Sequence, residues 1–133
     1  MPIINELPQA NIDIITSQSS TRLTATTTET TLTSITAPSA GKYLLLAQVT
    51  FSGTGSQNKD IFFRIRNETN SNEELTNAYW YAGYQSQTAG AGSMTIYAVA
   101  DLSTGDVVKS TLTVSSNSVF TSGVYSLTAI RLE

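Results

Sequence analysis

Lys42-Tyr43-Leu44-Leu45-Leu46-Ala47-Gln48-Val49-Thr50-Phe51 decides the fold. Tyr43, Leu45, Ala47, Val49 and Phe51 fall at every second position, the spacing that puts strand side chains on one face. The other face, Leu44, Leu46, Gln48 and Thr50, is half apolar. Two further runs alternate in the same way. Ile61, Phe63 and Ile65 are set against Phe62, Arg64 and Arg66. Met94, Ile96, Ala98, Ala100 and Leu102 are set against Thr95, Tyr97, Val99 and Asp101. Thr21 to Thr36, the aromatic segment Ala78 to Tyr84, Val107 to Ser115 and Val124 to Leu132 complete the predicted strands. The first of these is rich in β-branched Thr, which fits a pleated surface. Turn residues separate the runs at Pro38 to Gly41, Ser52 to Gly55, Asn67 to Asn72, Ala89 to Gly92, Ser103 to Asp106 and Asn117. No segment keeps a helical period. Short strands at this spacing predict an all-β antiparallel sandwich of about eight to ten strands.

The composition narrows the function classes. The chain has 133 residues, 40% of them hydrophobic and only 13% charged, with Ser and Thr making up more than a quarter. This length predicts a single domain. There is no cysteine and no histidine, so thiolate chemistry, disulfides and the commonest general base are excluded. A net charge of -3 offers no basic field for nucleic acid. No apolar run reaches the ~20 residues of a membrane helix. An enzyme is not expected, nor any cofactor, nucleic acid or membrane partner. A structural or binding protein remains.

Residues 1–20 read as an extended N-terminal arm, and 21–133 as the sandwich domain. The arm carries Ile3, Ile4, Leu7, Ile12, Ile14 and Ile15, while Pro2 and Pro8 oppose a helix. An arm this apolar packs either on its own domain or on a neighbour. Three strands also show apolar second faces: Leu44 and Leu46, Tyr97 and Val99, Tyr125 and Leu127. As neighbours they would form one outer patch, covered by the arm or by another subunit.

Three segments together resemble the jelly-roll heads of the tumour-necrosis-factor and complement globular-head superfamily. Ala40-Gly41-Lys42-Tyr43 through Phe51 is similar to the strand after that family's G-x-Y turn. Leu102-Ser103-Thr104-Gly105-Asp106-Val107-Val108 is similar to its L-x-x-G-D-x-V turn. Gly123 to Leu132 is similar to its C-terminal strand. The resemblance runs from about Thr21 to Glu133 and implies a ten-stranded jelly roll that trimerises through one sheet. The strands of Leu44, Tyr97 and Tyr125 would then face the three-fold axis. The cysteine-free, Ser/Thr/Gly/Asn-rich style resembles bacteriophage members, which serve as capsid decoration (cement) proteins or tail-fibre heads. Ile4-Asn5-Glu6-Leu7-Pro8 also resembles the opening of some phage tail proteins. No secretion signal or stalk is visible, so animal signalling is not expected.

Other clusters admit two readings each. Glu68, Glu73 and Glu74 with Asn67, Asn70, Asn72 and Asn77 offer oxygen ligands for Ca²⁺, or simply a solvated loop. Asp101 and Asp106 form a carboxylate pair or stabilise a turn. Asn67-Glu68-Thr69 fits a glycosylation sequon, which needs a secretory route. Tyr79, Trp80, Tyr81 and Tyr84 are the candidate ligand-contact aromatics, facing a glycan or else filling core and interface. Arg64 and Arg66 either bind a partner's carboxylates or solubilise an exposed sheet. The resulting expectation is a homotrimeric decoration protein, made in the host cytoplasm and located in the virion. Its partners are itself and the major capsid protein or another virion protein. The alternative is a glycan-binding tail-fibre head, for which a long shaft is expected before the domain; a short arm favours decoration.

Overall fold

The computed structural model describes residues 13–54, 59–82, 89–114 and 119–133. Among these are eight strands: β1 (Ile14–Ser19), β2 (Thr30–Thr36), β3 (Gly41–Thr54), β4 (Lys59–Asn67), β5 (Glu73–Ala82), β6 (Ala89–Leu102), β7 (Val107–Val114) and β8 (Val119–Arg131). They form two antiparallel four-stranded sheets, β1-β8-β3-β6 and β2-β7-β4-β5. Every connection except the β4–β5 hairpin crosses between the sheets. That is a jelly roll, with the core between the two layers. No helix long and apolar enough to cross a membrane occurs among the described residues.

The alternation read in β3, β4 and β6 is observed. Tyr43, Leu45, Ala47, Val49 and Phe51 meet Ile61, Phe63, Ile65, Met94, Ile96 and Leu102 inside the sandwich. Burying each large aliphatic or aromatic group contributes about 1.5–3 kcal/mol, so these inner faces supply most of the driving force. Tyr43 keeps its hydroxyl satisfied by donating to the Ser39 carbonyl at 2.8 Å.

Several boundaries differ from the sequence reading. Ser52-Gly53 and Ala89 to Gly92, expected as turns, are paired strand ends of β3 and β6. Gly92 has a local reason: a Cβ there would lie 2.9 Å from the Phe51 ring, so glycine lets the ring settle on the strand. Part of the arm expected over 1–20 is strand. Ile14 and Ile15 begin β1, an edge strand paired with β8, so they belong to the sandwich. Ser17 hydrogen-bonds across to Thr33 of β2 and ties the two sheets together at this edge. Ile3, Ile4, Leu7 and Ile12 lie outside the described residues. Thr21 to Thr36 is strand only from Thr30 onward.

The Leu102 to Val108 segment is a tight turn. Gly105 takes φ 89°, a left-handed value that favours glycine. The Asp106 carboxylate accepts from the Ser103 amide at 2.9 Å and from the Asn67 side chain at 3.1 Å. Asp106 is therefore a turn-holding group. Asp101 stands apart, across from Lys42 in register.

Candidate functional site

The outward residues of the β1-β8-β3-β6 sheet align in rows that cross all four strands. Ile14, Ile130, Leu44 and Val99 form one row. Thr16, Thr128, Leu46 and Tyr97 form the next, and Gln18, Ser126, Gln48 and Thr95 the third. None of these twelve residues is charged. Charge returns only beyond the first row, where Lys42 opposes Asp101. Ile14, Tyr97 and Val99 are exposed by 63%, 69% and 57%, and Val124 and Leu132 by 46% and 51%. Four exposed large apolar residues on one sheet, with Leu132 just past the end of β8, exceed the scattered singles of an ordinary surface.

Four of the six residues predicted for an assembly face stand there: Leu44, Leu46, Tyr97 and Val99. Tyr125 and Leu127 do not. They are 3% and 0% exposed and point into the core with Ala129, while Val124, Ser126, Thr128 and Ile130 point outward. The cause lies at the start of the strand. A bulge shifts the β3–β8 register between Val49 and Phe51, so Ser122 and Tyr125 both face inward. Thr50 fills the irregularity, accepting from the Val124 amide at 2.8 Å and donating to the Val124 carbonyl at 3.2 Å. A Cβ on Gly123 would lie 2.5 Å from the Thr50 hydroxyl, so this position is closed to other residues without movement. Ile14, Val124 and Ile130 are the face residues that sequence reading missed. Val124 and Ile130 share their phase with Ser126 and Thr128, which hid it.

The outer face of the β2-β7-β4-β5 sheet is the opposite in kind. Arg66 grips Glu29 through two bonds, Nε to Oε2 at 2.7 Å and Nη2 to Oε1 at 2.9 Å. Arg64 Nη1 reaches the same carboxylate at 3.2 Å and also Thr113 Oγ1 at 3.2 Å. Arg64 Nε donates to Glu74 Oε1 at 2.9 Å. The Arg66 hydrogen bond holds the Glu29 carboxyl below the usual glutamate range, and the same bond raises Arg66. The arginines thus bind carboxylates of their own chain, an arrangement neither sequence reading anticipated. Nothing in the Thr-rich stretch around Glu29 marks it as their partner.

The acidic loop is likewise internally tied. Glu68 pairs with Lys109 at 3.6 Å, Glu73 accepts from Asn70 at 2.8 Å, and Glu74 accepts from Asn77 at 2.9 Å. Ser71 and Asn72 turn the hairpin with positive φ. Among the described residues no group of three acidic side chains is placed to hold a metal. Of the candidate aromatics, Tyr79 is 56% exposed, packs against Phe62 across the β4–β5 pair with ring centroids 5.6 Å apart and planes tilted by 45°, and donates to Asp60 at 3.0 Å. Trp80 and Tyr81 belong to β5, but their side chains, and all of Tyr84, lie outside the described residues.

No family model and no curated protein matches the chain. Solved structures do. The VP2 subviral particle of infectious bursal disease virus aligns at TM-score 0.60 and 11% identity, covering 98% of this chain and 37% of that one. The Gx strain of the same virus aligns at 0.57 and 13%, covering 98% and 36%. The tumour-necrosis-factor protein Eiger of S. frugiperda aligns at 0.54 and 13%, covering 71% and 61%. The chain spans about a third of the viral proteins and under two thirds of Eiger. At such identities the likeness is one of fold: this chain is an all-β jelly-roll sandwich with viral and tumour-necrosis-factor neighbours.

Proposed function

We propose that this chain is a virion structural protein, a homotrimeric decoration protein that cements a bacteriophage capsid. The observation that carries the reading is the uncharged outer face of the β1-β8-β3-β6 sheet, with Ile14, Leu44, Leu46, Tyr97, Val99 and Ile130 in adjoining rows. Two further copies of the same face suit it, because cyclic closure about a three-fold axis brings the same face of every subunit to that axis. Each side chain so buried contributes about 1.5–3 kcal/mol before ordering costs. The virion assignment draws support from the viral fold neighbours and from the phage-like composition. Capsid attachment falls to residues 1–12, with Ile3, Ile4, Leu7 and Ile12, and to avidity from three equivalent arms.

Two measurements test this. Light scattering should give three times the chain mass, and electron microscopy of purified particles should place the protein on the capsid surface. Monomeric protein at micromolar concentration, or an absence of head density, overturns the reading. Exposed Tyr79, fixed against Phe62, favours a second reading as a glycan-binding tail-fibre head. Density at a fibre tip, together with glycan binding lost in Tyr79→Ala, would select it.

A further inference from the structure

The connection between β1 and β2, residues 20–29, is fastened at three separate places. Leu23 donates from its amide to Ser122 Oγ at 3.0 Å, and its carbonyl accepts from the Ser122 amide at 2.9 Å. Further on, the Thr26 carbonyl accepts from the Val114 amide at 3.0 Å. The segment therefore spans from β8 in one sheet to β7 in the other, along the edge where β1 and β2 lie. Ala25 is buried and Leu23 packs against the core, while Thr24 between them is exposed. The third fastening is Glu29 on Arg64 and Arg66 of β4. Apart from one isolated bridge at Thr24, residues 20–29 lie in no strand.

The geometry points to a detachable strap: residues 20–29 are clasped across the β7 and β8 ends by the Glu29 carboxylate, and the strap opens as a unit when that charge is lost. Two apolar side chains and three backbone-linked hydrogen bonds are a small holding force beside the long β3–β6 and β3–β8 ladders. Local openings of such weakly held segments occur well below the free energy of global unfolding. The Glu29 fork is the strongest single contact, because bidentate guanidinium–carboxylate bonds exceed neutral ones. The charged groups around it are Arg64 and Arg66 of β4, Glu74 of β5 and Lys109 of β7, which itself pairs with Glu68. Of the two arginines Glu74 hydrogen-bonds only Arg64, so its loss leaves the Arg66 fork intact. Opening would uncover the Ser122 and Val114 amides and the apolar seat of Leu23 and Ala25.

Amide hydrogen exchange tests this on the full chain. In the unaltered protein the Leu23, Val114 and Ser122 amides should share one protection factor, lower than those of Leu45 and Ile65. Glu29→Gln should lower the shared value about tenfold at neutral pH. Glu74→Gln should leave it near the original. Acidification below the glutamate range should reproduce the Glu29→Gln value without any mutation, which keeps the test available if the variant folds poorly. Equal protection for strap and core amides would mean that the strap opens only with the whole fold, and would overturn the inference. So would an unchanged strap in Glu29→Gln, or an equal fall in Glu74→Gln.

Discussion

Leu44, Leu46, Tyr97 and Val99 look outward from one sheet, and Arg64, Arg66, Glu29 and Glu74 look outward from the other. Both faces use the same pleat, and both lie over the same core. The first has no charge across three rows. The second closes its charges pairwise within the chain. A sheet face that is to remain in water carries charged and polar groups, as the second does. The first face has the composition of a surface that is to be covered. Inner faces alone would have fixed the fold, so the contrast between the outer faces is where function is written.

The sharpest way to break this contrast is to make the first face resemble the second. Leu46→Glu places a carboxylate in the middle row, where the outer side is only half-buried in the single chain. The chain should fold, with an unchanged β-type circular dichroism spectrum. Assembly should be lost, because a buried unpaired charge costs about 3–5 kcal/mol at each copy. Light scattering that still shows the full oligomer would return this face to solvent and leave the contrast without a function.

Next in size is the boundary between inside and outside on the β strands themselves. In the Leu46→Glu background, Leu127→Ala should lower the unfolding free energy by about 2–5 kcal/mol through the cavity it leaves. Val99→Ala should change it by less than about 0.5 kcal/mol there, as exposed positions do. Denaturant titration separates the two. Equal effects would mean that β8 is turned the other way, with Tyr125 and Leu127 on the face as the sequence had led one to expect.

That reversal shows what the sequence can and cannot carry. The strands β3, β4 and β6 were legible because their apolar residues alternate without interruption over long runs. The turn at Gly105 was legible because glycine and Asp are turn-forming residues, and the positive φ there favours glycine. In β8 both phases contain apolar groups, Tyr125-Leu127-Ala129 against Val124-Ile130-Leu132, and the deciding feature is a bulge set by Thr50 in another strand. The membership of Ile14 and Ile15 in β1 was hidden because only six residues alternate there, most of them polar. The Glu29 site was illegible in principle, since Glu29 meets Arg64 and Arg66 only after the chain has crossed twice between sheets.

The bulge gives an intermediate effect. Gly123→Ala drives a methyl group toward the Thr50 hydroxyl, 2.5 Å from its ideal position. Overpacking of this kind costs about 1–3 kcal/mol. Adding Thr50→Ala should recover part of that loss by removing the obstructing hydroxyl, even though Thr50→Ala alone forfeits the bond to the Val124 amide. A double variant whose loss equals the sum of the single losses would mean that the two residues do not share the bulge.

The smallest expected effect tests the charged face. Glu29→Gln should lower the unfolding free energy by about 1–2 kcal/mol at pH 7, the range for a hydrogen bond to a charged group on a partly exposed site. The folded-state carboxyl is held below its ordinary value, by the Arg66 hydrogen bond first. Its stabilising contribution is therefore complete above the unfolded glutamate value of about 4.3 and is lost as pH falls through the lower folded value. The unaltered chain and Glu29→Gln should thus differ at neutral pH and converge in strong acid. Moderate salt should reduce the gap only in part, because the Glu29 side chain is 25% exposed and each arginine 20%. A gap that stays constant from pH 7 down to pH 2 would mean that the glutamine change acts through shape. The second face would then be polar without being electrostatically held.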